Sequence, residues 1–426
     1  MTTPLFDISL SQLHWDEGAV PRSALWRSER GAPAPQRVVL VDDTTSADTA
    51  YRLACEGVGL LWRGDFQNAK HLLQALERRL DNVNTKPAKR SKPQAAKPMV
   101  DVFHAYRQTQ SQRARVLGMV LIPMHADYSI PLRRAPDVQL ACAQAWGSAQ
   151  QAASASAALG SEAGSETGSG ANLQSVVSLR ELQGIISAFE WRKNGVEIAA
   201  LGDATEDSSN RIHAHYGVFS PVRAEYLGLL VKAPLPVMLG KPPQLVAFDI
   251  GTGTGVLAAV LARRSIGRII ATDVDARALA CATDNLARLR VNEQVQVLQA
   301  DLFPDVATHG KAHLIVCNPP WLPGRPSTPL ERAIYDEGSH MLLGFLNGLS
   351  AHLANKGEGW LILSDLAEHL GLRTREQLLG YIEAAGLKVI AKLDTRPHHP
   401  KAMDTTDPLY AARGREITSL WRLAVK

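Results

Sequence analysis

From residue 244 onward, short apolar runs alternate with longer stretches whose apolar positions recur at helical spacing. LVAFDI (245–250) is followed by GVLAAVLARR, RIIATD (268–273) by ARALACATDNLARL, and VQVLQA (295–300) by HLIVCN (313–318). A helical MLLGFLNGLSAHL then precedes GWLILSD (359–365), and REQLLGYIEAAG precedes LKVIAKLD (387–394). The chain closes on EITSLWRLAV (416–425). Strands that alternate with helices predict βαβ units in a largely parallel sheet, with right-handed crossovers and a ligand at the carboxyl ends of the strands.

The first half reads differently. HLLQALERRL (71–80) and SLRELQGIISAFEWRKNG (178–195) have helical spacing, and VVLVDD (38–43) has the texture of a short strand, so this half is expected to be mostly helical with some strands. Two stretches break the pattern. Residues 82–100 hold Lys86, Lys89, Arg90, Lys92 and Lys97 with three prolines, and residues 147–172 are almost entirely Gly, Ala, Ser and polar residues. Neither buries enough apolar surface to offset chain entropy, so both are expected to be flexible. A Pro/Gly-rich GKPP (240–243) marks a hinge. The division expected is an N-terminal α+β domain over 1–232, which selects the target, and a second domain over 240–426.

Composition narrows the class. At 426 residues, two domains are the prior. The 45% hydrophobic fraction fits a globular chain, and a net charge of +4 permits a nucleic-acid or ribosome-associated partner without requiring one. The four cysteines, Cys55, Cys142, Cys281 and Cys317, form no CxxC pair, which fits a reducing compartment. No apolar run approaches the roughly 20 residues of a membrane helix, and the first residues carry no signal-peptide pattern. The expected location is cytoplasmic, with no membrane partner.

Candidate chemistry clusters at the predicted strand ends. The first strand exits into Asp249-Ile250-Gly251-Thr252-Gly253-Thr254-Gly255. A nicotinamide-binding turn places a third glycine where Val256 stands, and no Lys-Ser/Thr follows to make a phosphate loop. Asp273 ends the second strand, where a carboxylate accepts hydrogen bonds from ribose hydroxyls. Asp301 ends the third, within reach of an adenine amine. An adenosine carrying an amino acid rather than a diphosphate fits this set. The fourth strand runs into Asn318-Pro319-Pro320-Trp321. In a doubly wound sheet the first and fourth strands are neighbours, so this turn is predicted beside the glycine loop. There the Asn318 side-chain oxygen and the Pro319 carbonyl would hold one planar amino group, with Trp321 stacked on it and the prolines stiffening the turn. His213 and His215, with His398 and His399, have no supporting acid or cysteine spacing for a metal site.

Residues 244–426 resemble class I S-adenosylmethionine-dependent methyltransferases, within the small-domain group that includes release-factor glutamine methyltransferases and rRNA base N-methyltransferases. The resemblance implies a Rossmann-like doubly wound α/β sheet of seven strands, order 3-2-1-4-5-7-6, with the last strand antiparallel. It implies S-adenosyl-L-methionine as cofactor, held by Asp249, Gly251, Gly253, Gly255, Asp273, Asp301, Leu302 and Asn318. It implies amino-group methylation at Asn318, Pro319, Pro320 and Trp321. GVFSPVRAEYL (217–227) is similar to the segment that covers the cofactor in this group, through Phe219, Pro221 and Glu225, and an amphipathic helix packed on the sheet edge is the alternative. YDEGSH (335–340) and Trp rather than Tyr at 321 depart from the glutamine-modifying pattern. The acceptor expected is a protein or RNA of the translation apparatus. The alternatives are DNA adenine, a cofactor-binding module without catalysis, and a nicotinamide-dependent reductase.

Overall fold

The computed structural model describes residues 11–85, 97–148, 175–204, 209–222, 224–236, 242–328, 330–397 and 404–426. Most of the two stretches expected to be flexible, the start of GKPP, His398 and His399 lie outside the described residues. At the edges of the first stretch the backbone is helical, since one helix runs Phe66–Thr85 and the next Met99–Leu117.

The chain divides into two compact units. One comprises Met1–Ala96 with Ala105–Glu190, and the other Lys97–His104 with Trp191–Lys426. The boundary expected near 232–240 therefore falls about four dozen residues earlier. The reason is packing: Ile198, Leu201, Ile212, Tyr226, Leu227 and Leu230 share one core with Val256–Ala262, so the segment before 240 cannot be separated from that core without exposing it.

Among its described residues the first unit carries six strands: β1 (Gln12–Glu17), β2 (Val20–Arg27), β3 (Val38–Val41), β4 (Gly59–Trp62), β5 (Val120–Met124) and β6 (Ser175–Ser178). They form one mixed sheet in the order β1-β2-β6-β5-β4-β3. This unit is richer in strand than the helical spacing of its sequence predicts. β4, β5 and β6 are buried along their whole length, so they read as short unbroken apolar runs rather than as an alternation. Leu13, Trp15, Trp26, Leu61, Leu121 and Val176 make one of its cores.

The second unit opens with a small hairpin, β7 (Val196–Glu197) and β8 (Arg211–Ile212). Its main sheet is built from β9 (Val246–Ile250), β10 (Arg268–Asp273), β11 (Val295–Gln299), β12 (Ala312–Cys317), β13 (Leu353–Ser364), β14 (Leu387–Thr395) and β15 (Thr418–Val425). The order is β11-β10-β9-β12-β13-β15-β14, and β15 is antiparallel to both neighbours. This is the doubly wound seven-stranded order expected. One core lies on each face: Val256–Ala262 with Trp360 and Leu420 on one side, Phe248, Ile315, Phe345 and Trp421 on the other. The strand order reverses between β9 and β12, which opens the crevice where ligands bind in such sheets.

Candidate active site

The turn after β9 needs its glycines. Gly251, Gly253 and Gly255 take φ of 71°, 55° and 80°, values that side-chain-bearing residues adopt only with strain. A Cβ on Gly251 would lie 2.3 Å from Met341 Cε, and one on Gly255 would lie 3.2 Å from Ala282 Cα. At Gly253 a Cβ would meet only open space, so this side of the turn faces an opening. The turn is tied down by Thr252 N–H donating to the Thr272 carbonyl (2.8 Å) and Gly253 N–H donating to Asp273 Oδ2 (3.0 Å).

Asp249 lies fully buried beneath the turn. Its Oδ2 accepts from Thr252 Oγ1 (2.6 Å) and Ala258 N (3.1 Å), while Oδ1 has no hydrogen-bond partner. Burial pushes this carboxyl up to about 6. Asp273, half-buried, is also raised by burial, although Asp275 N–H and Gly253 N–H donate to its two oxygens and oppose the shift. Asp301 is exposed at the rim. Leu302 takes the left-handed conformation (φ 67°), accepts the Thr272 hydroxyl on its carbonyl (2.5 Å), and packs its side chain where Gly344 has none.

β12 pairs with β9 so that Cys317 stands opposite Ile250. Asn318 therefore leaves the sheet beside Gly251, and the two turns share one edge of the crevice. Trp321 Nε1 donates to Asn318 Oδ1 at 2.8 Å. Its ring is half-buried, packs against both cores, and stands edge-on to Tyr226 with centroids 6.4 Å apart and planes at 87°. Pro319 is buried and Pro320 half-buried. Chain pairing holds this loop from behind: Leu322 N–H donates to the Ile334 carbonyl (3.1 Å) and Asp336 N–H to the Leu322 carbonyl (2.9 Å).

Several contributors were not legible in the sequence. Tyr226 is buried and hydrogen-bonds the Asn318 side chain, and nothing in its apolar helical context marks it. Asp336 accepts from Met341 N (3.0 Å) and Leu342 N (3.2 Å), so YDEGSH caps the helix His340–His352. An acid just ahead of an apolar helix is the signal that would have found it. In GVFSPVRAEYL, Val218 and Pro221 are buried and Phe219 is 42% exposed, while Glu225–Lys232 forms a helix whose Tyr226, Leu227, Leu229 and Leu230 join the core. His213 and His215 are engaged by Asn285, the Arg192 carbonyl and Asp284, and among the described residues no group of three metal-ligating side chains occurs.

Comparison with known proteins places this geometry. Residues 209–364 match the family described as Methyltransferase small domain. Over 183 residues the chain is 30% identical to a release factor glutamine methyltransferase of Cereibacter sphaeroides, covering 40% of this chain and 60% of that protein. Over 122 residues it is 34% identical to a tRNA1(Val) (adenine(37)-N6)-methyltransferase of Cytophaga hutchinsonii, covering 28% and 50%. A solved methyltransferase of Pyrococcus furiosus aligns at a TM-score of 0.34 and 17% identity, over 57% of this chain and 98% of that one. The chain thus spans about half the length of the curated relatives it matches. A methyltransferase small domain over this segment implies S-adenosyl-L-methionine as the cofactor. The residues present fit that group: a glycine turn open at Gly253, a carboxylate at the end of β10, and a buried Asp249 oxygen with an unmet acceptor site. Among the described residues, no helix is long and apolar enough to cross a membrane.

Proposed function

We propose that the second unit is an N-methyltransferase that acts on a planar amino or amide group of a macromolecule of the translation apparatus, either a protein glutamine or an RNA base. One observation carries the reading: the Asn318–Trp321 turn leaves the sheet beside the glycine turn, through the pairing of Cys317 with Ile250. S-adenosylmethionine, when bound, supplies a methyl group on a sulfonium, the electrophile of the reaction. Asp273 would receive ribose hydroxyls on the lone pairs that Gly253 and Asp275 leave open, and Asp301 with Leu302 would border the adenine. Gly251, Gly253, Gly255 and Asp249 would shape the turn against the rest of the cofactor.

Asn318 Oδ1 accepts from Trp321 and keeps a second acceptor position. That position and the Pro319 carbonyl would take the two N–H groups of the acceptor. Both donors then lie in the plane of the amino group, and its lone pair points out of the plane. Pro319 and Pro320 fix the turn, and the Trp321 ring provides an apolar wall. This is catalysis by positioning, and the acceptor nitrogen sheds its proton after attack. The names of the relatives, which include a release factor glutamine methyltransferase and a tRNA adenine methyltransferase, support a translation-related target. The first unit would select it.

The test uses RNA and protein fractions from cells lacking this chain, incubated with labelled S-adenosylmethionine and the purified protein. Label should enter one fraction with the native protein and fall at least about 100-fold with Asn318→Ala, while cofactor binding persists. Transfer by the variant at the native rate would overturn the mechanism.

A further inference from the structure

An asparagine amide has two nearly isosteric ends of opposite character: the oxygen accepts and the NH₂ donates. Rotated by half a turn, Asn318 would present donors to an amino group and repel it. Something must fix its orientation. Trp321 Nε1–H is donor-only and lies 2.8 Å from Oδ1, so it selects the orientation with the oxygen towards the indole. Tyr226, 7% exposed, is hydrogen-bonded with the same side chain. The Tyr226 and Trp321 rings hold each other edge to face at 6.4 Å and 87°.

We infer that Tyr226 and Trp321 are positioning residues that lock the Asn318 amide, with Tyr226 Oη accepting from Nδ2–H and Trp321 Nε1–H donating to Oδ1, so that the second acceptor position of Oδ1 faces the substrate amino group. This rests on the reading of Asn318 as the acceptor clamp. Tyr226 is a fixed partner rather than a base. Burial, with Asp249 and Glu225 nearby, pushes its phenol above the usual range, which favours the neutral hydroxyl. Trp321 gains a second role, since its N–H matters apart from its ring face.

Tyr226→Phe and Trp321→Phe separate these parts, because each keeps an aromatic ring and deletes one polar group. With the fraction that takes label from the native protein, each should lower kcat about 10-fold, leave cofactor affinity within about 2-fold, and leave KM nearly unchanged. The double variant should lose less than the product of the two, since both act on one amide. Independently of turnover, the side-chain NH₂ resonances of Asn318 should shift in Tyr226→Phe, and the Trp321 indole N–H resonance should shift in Asn318→Ala. Where Asn318→Ala itself loses transfer, native kcat in Tyr226→Phe, or losses that multiply, would overturn the lock. Unmoved Asn318 NH₂ resonances in Tyr226→Phe would overturn it as well. If Asn318→Ala transfers methyl at the native rate while the resonances still shift, the lock stands as structure and the clamp reading fails instead.

Discussion

Each unit shuts an aspartate away from solvent near a strand end, and these two, Asp65 and Asp249, are treated in opposite ways. Asp65 is 2% exposed and follows β4. Its Oδ1 accepts from Gln67 N (2.9 Å), and its Oδ2 accepts from Arg134 Nε (2.6 Å) and Arg133 Nε (3.0 Å). Those bonds, Arg134 first, hold its carboxyl down at about 2. Asp249 is wholly buried, keeps one oxygen without a partner, and is pushed up to about 6 by burial. The same residue type is therefore fully bonded in one sheet and left with an open acceptor in the other. What separates them is whether the protein itself supplies the partners. A raised carboxylate with an unmet oxygen beneath an open glycine turn points to a ligand, whereas a fully bonded one does not.

The largest expected effect breaks the comparison at the glycines. Gly251→Val would force a branched side chain into φ 71° and against Met341. Strain of about 1–3 kcal/mol at such a position should raise the Kd for S-adenosylmethionine at least about 10-fold by calorimetry. In the first unit, a Cβ on Gly64 would come within 2.5 Å of Asp43 Oδ1. Gly64→Ala should lower protection against hydrogen exchange around Asp43 and leave that Kd unchanged. An equal loss of cofactor binding in both variants would erase the distinction between the two junctions.

The next effect is a pH slope. Asp249 has its folded pKa above its unfolded one, so the folded state binds more protons between the two values. Its contribution is fully present below the unfolded value and is lost as pH rises through about 6. At one unit per 1.36 kcal/mol, the shift from 3.8 to about 6 amounts to about 3 kcal/mol at most. Urea unfolding of the native protein, followed at Trp360 or Trp421, should show stability falling from pH 4.5 to 7. In Asp249→Asn the slope should be shallower. Parallel slopes would show that Asp249 is not the buried acid described.

The second sheet was legible because its strands are separate apolar runs parted by glycine and proline, and because a doubly wound sheet sets its first and fourth strands side by side, the full order of seven being implied by the family resemblance. The neighbourhood of Asp249, Gly251, Asp273 and Asn318 followed from that order alone. The first sheet was obscured by GLLW, VLIPM and SVVS, runs of four or five residues buried on both faces that carry no period-2 signal. Tyr226 could not be found, since a tyrosine on an apolar helical stripe looks like core, and its hydroxyl contact with Asn318 joins residues far apart in sequence. The domain boundary failed for a related reason: the hinge signal at 240–243 is local, but the core that crosses it is not.

The smallest effect belongs to Asp65, and its sign is opposite. Its folded pKa lies below the unfolded value, so its contribution is present above 3.8 and is lost as pH falls through about 2. Amide exchange along Phe66–Thr85 should speed up from pH 4.5 to 2.5 in the native protein, beyond the intrinsic change with pH. In Asp65→Asn this excess should be absent. Arg133 and Arg134 have side chains 77% and 58% exposed, so water and salt screen their half of the interaction. Raising sodium chloride from about 0.1 to about 1 M, which shortens the Debye length from about 10 to about 3 Å, should shrink the Asp65 effect and leave the Asp249 slope nearly unmoved. If salt flattened both equally, Asp249 would also be titrating against exposed charges rather than against burial, and the contrast between the two carboxylates would collapse.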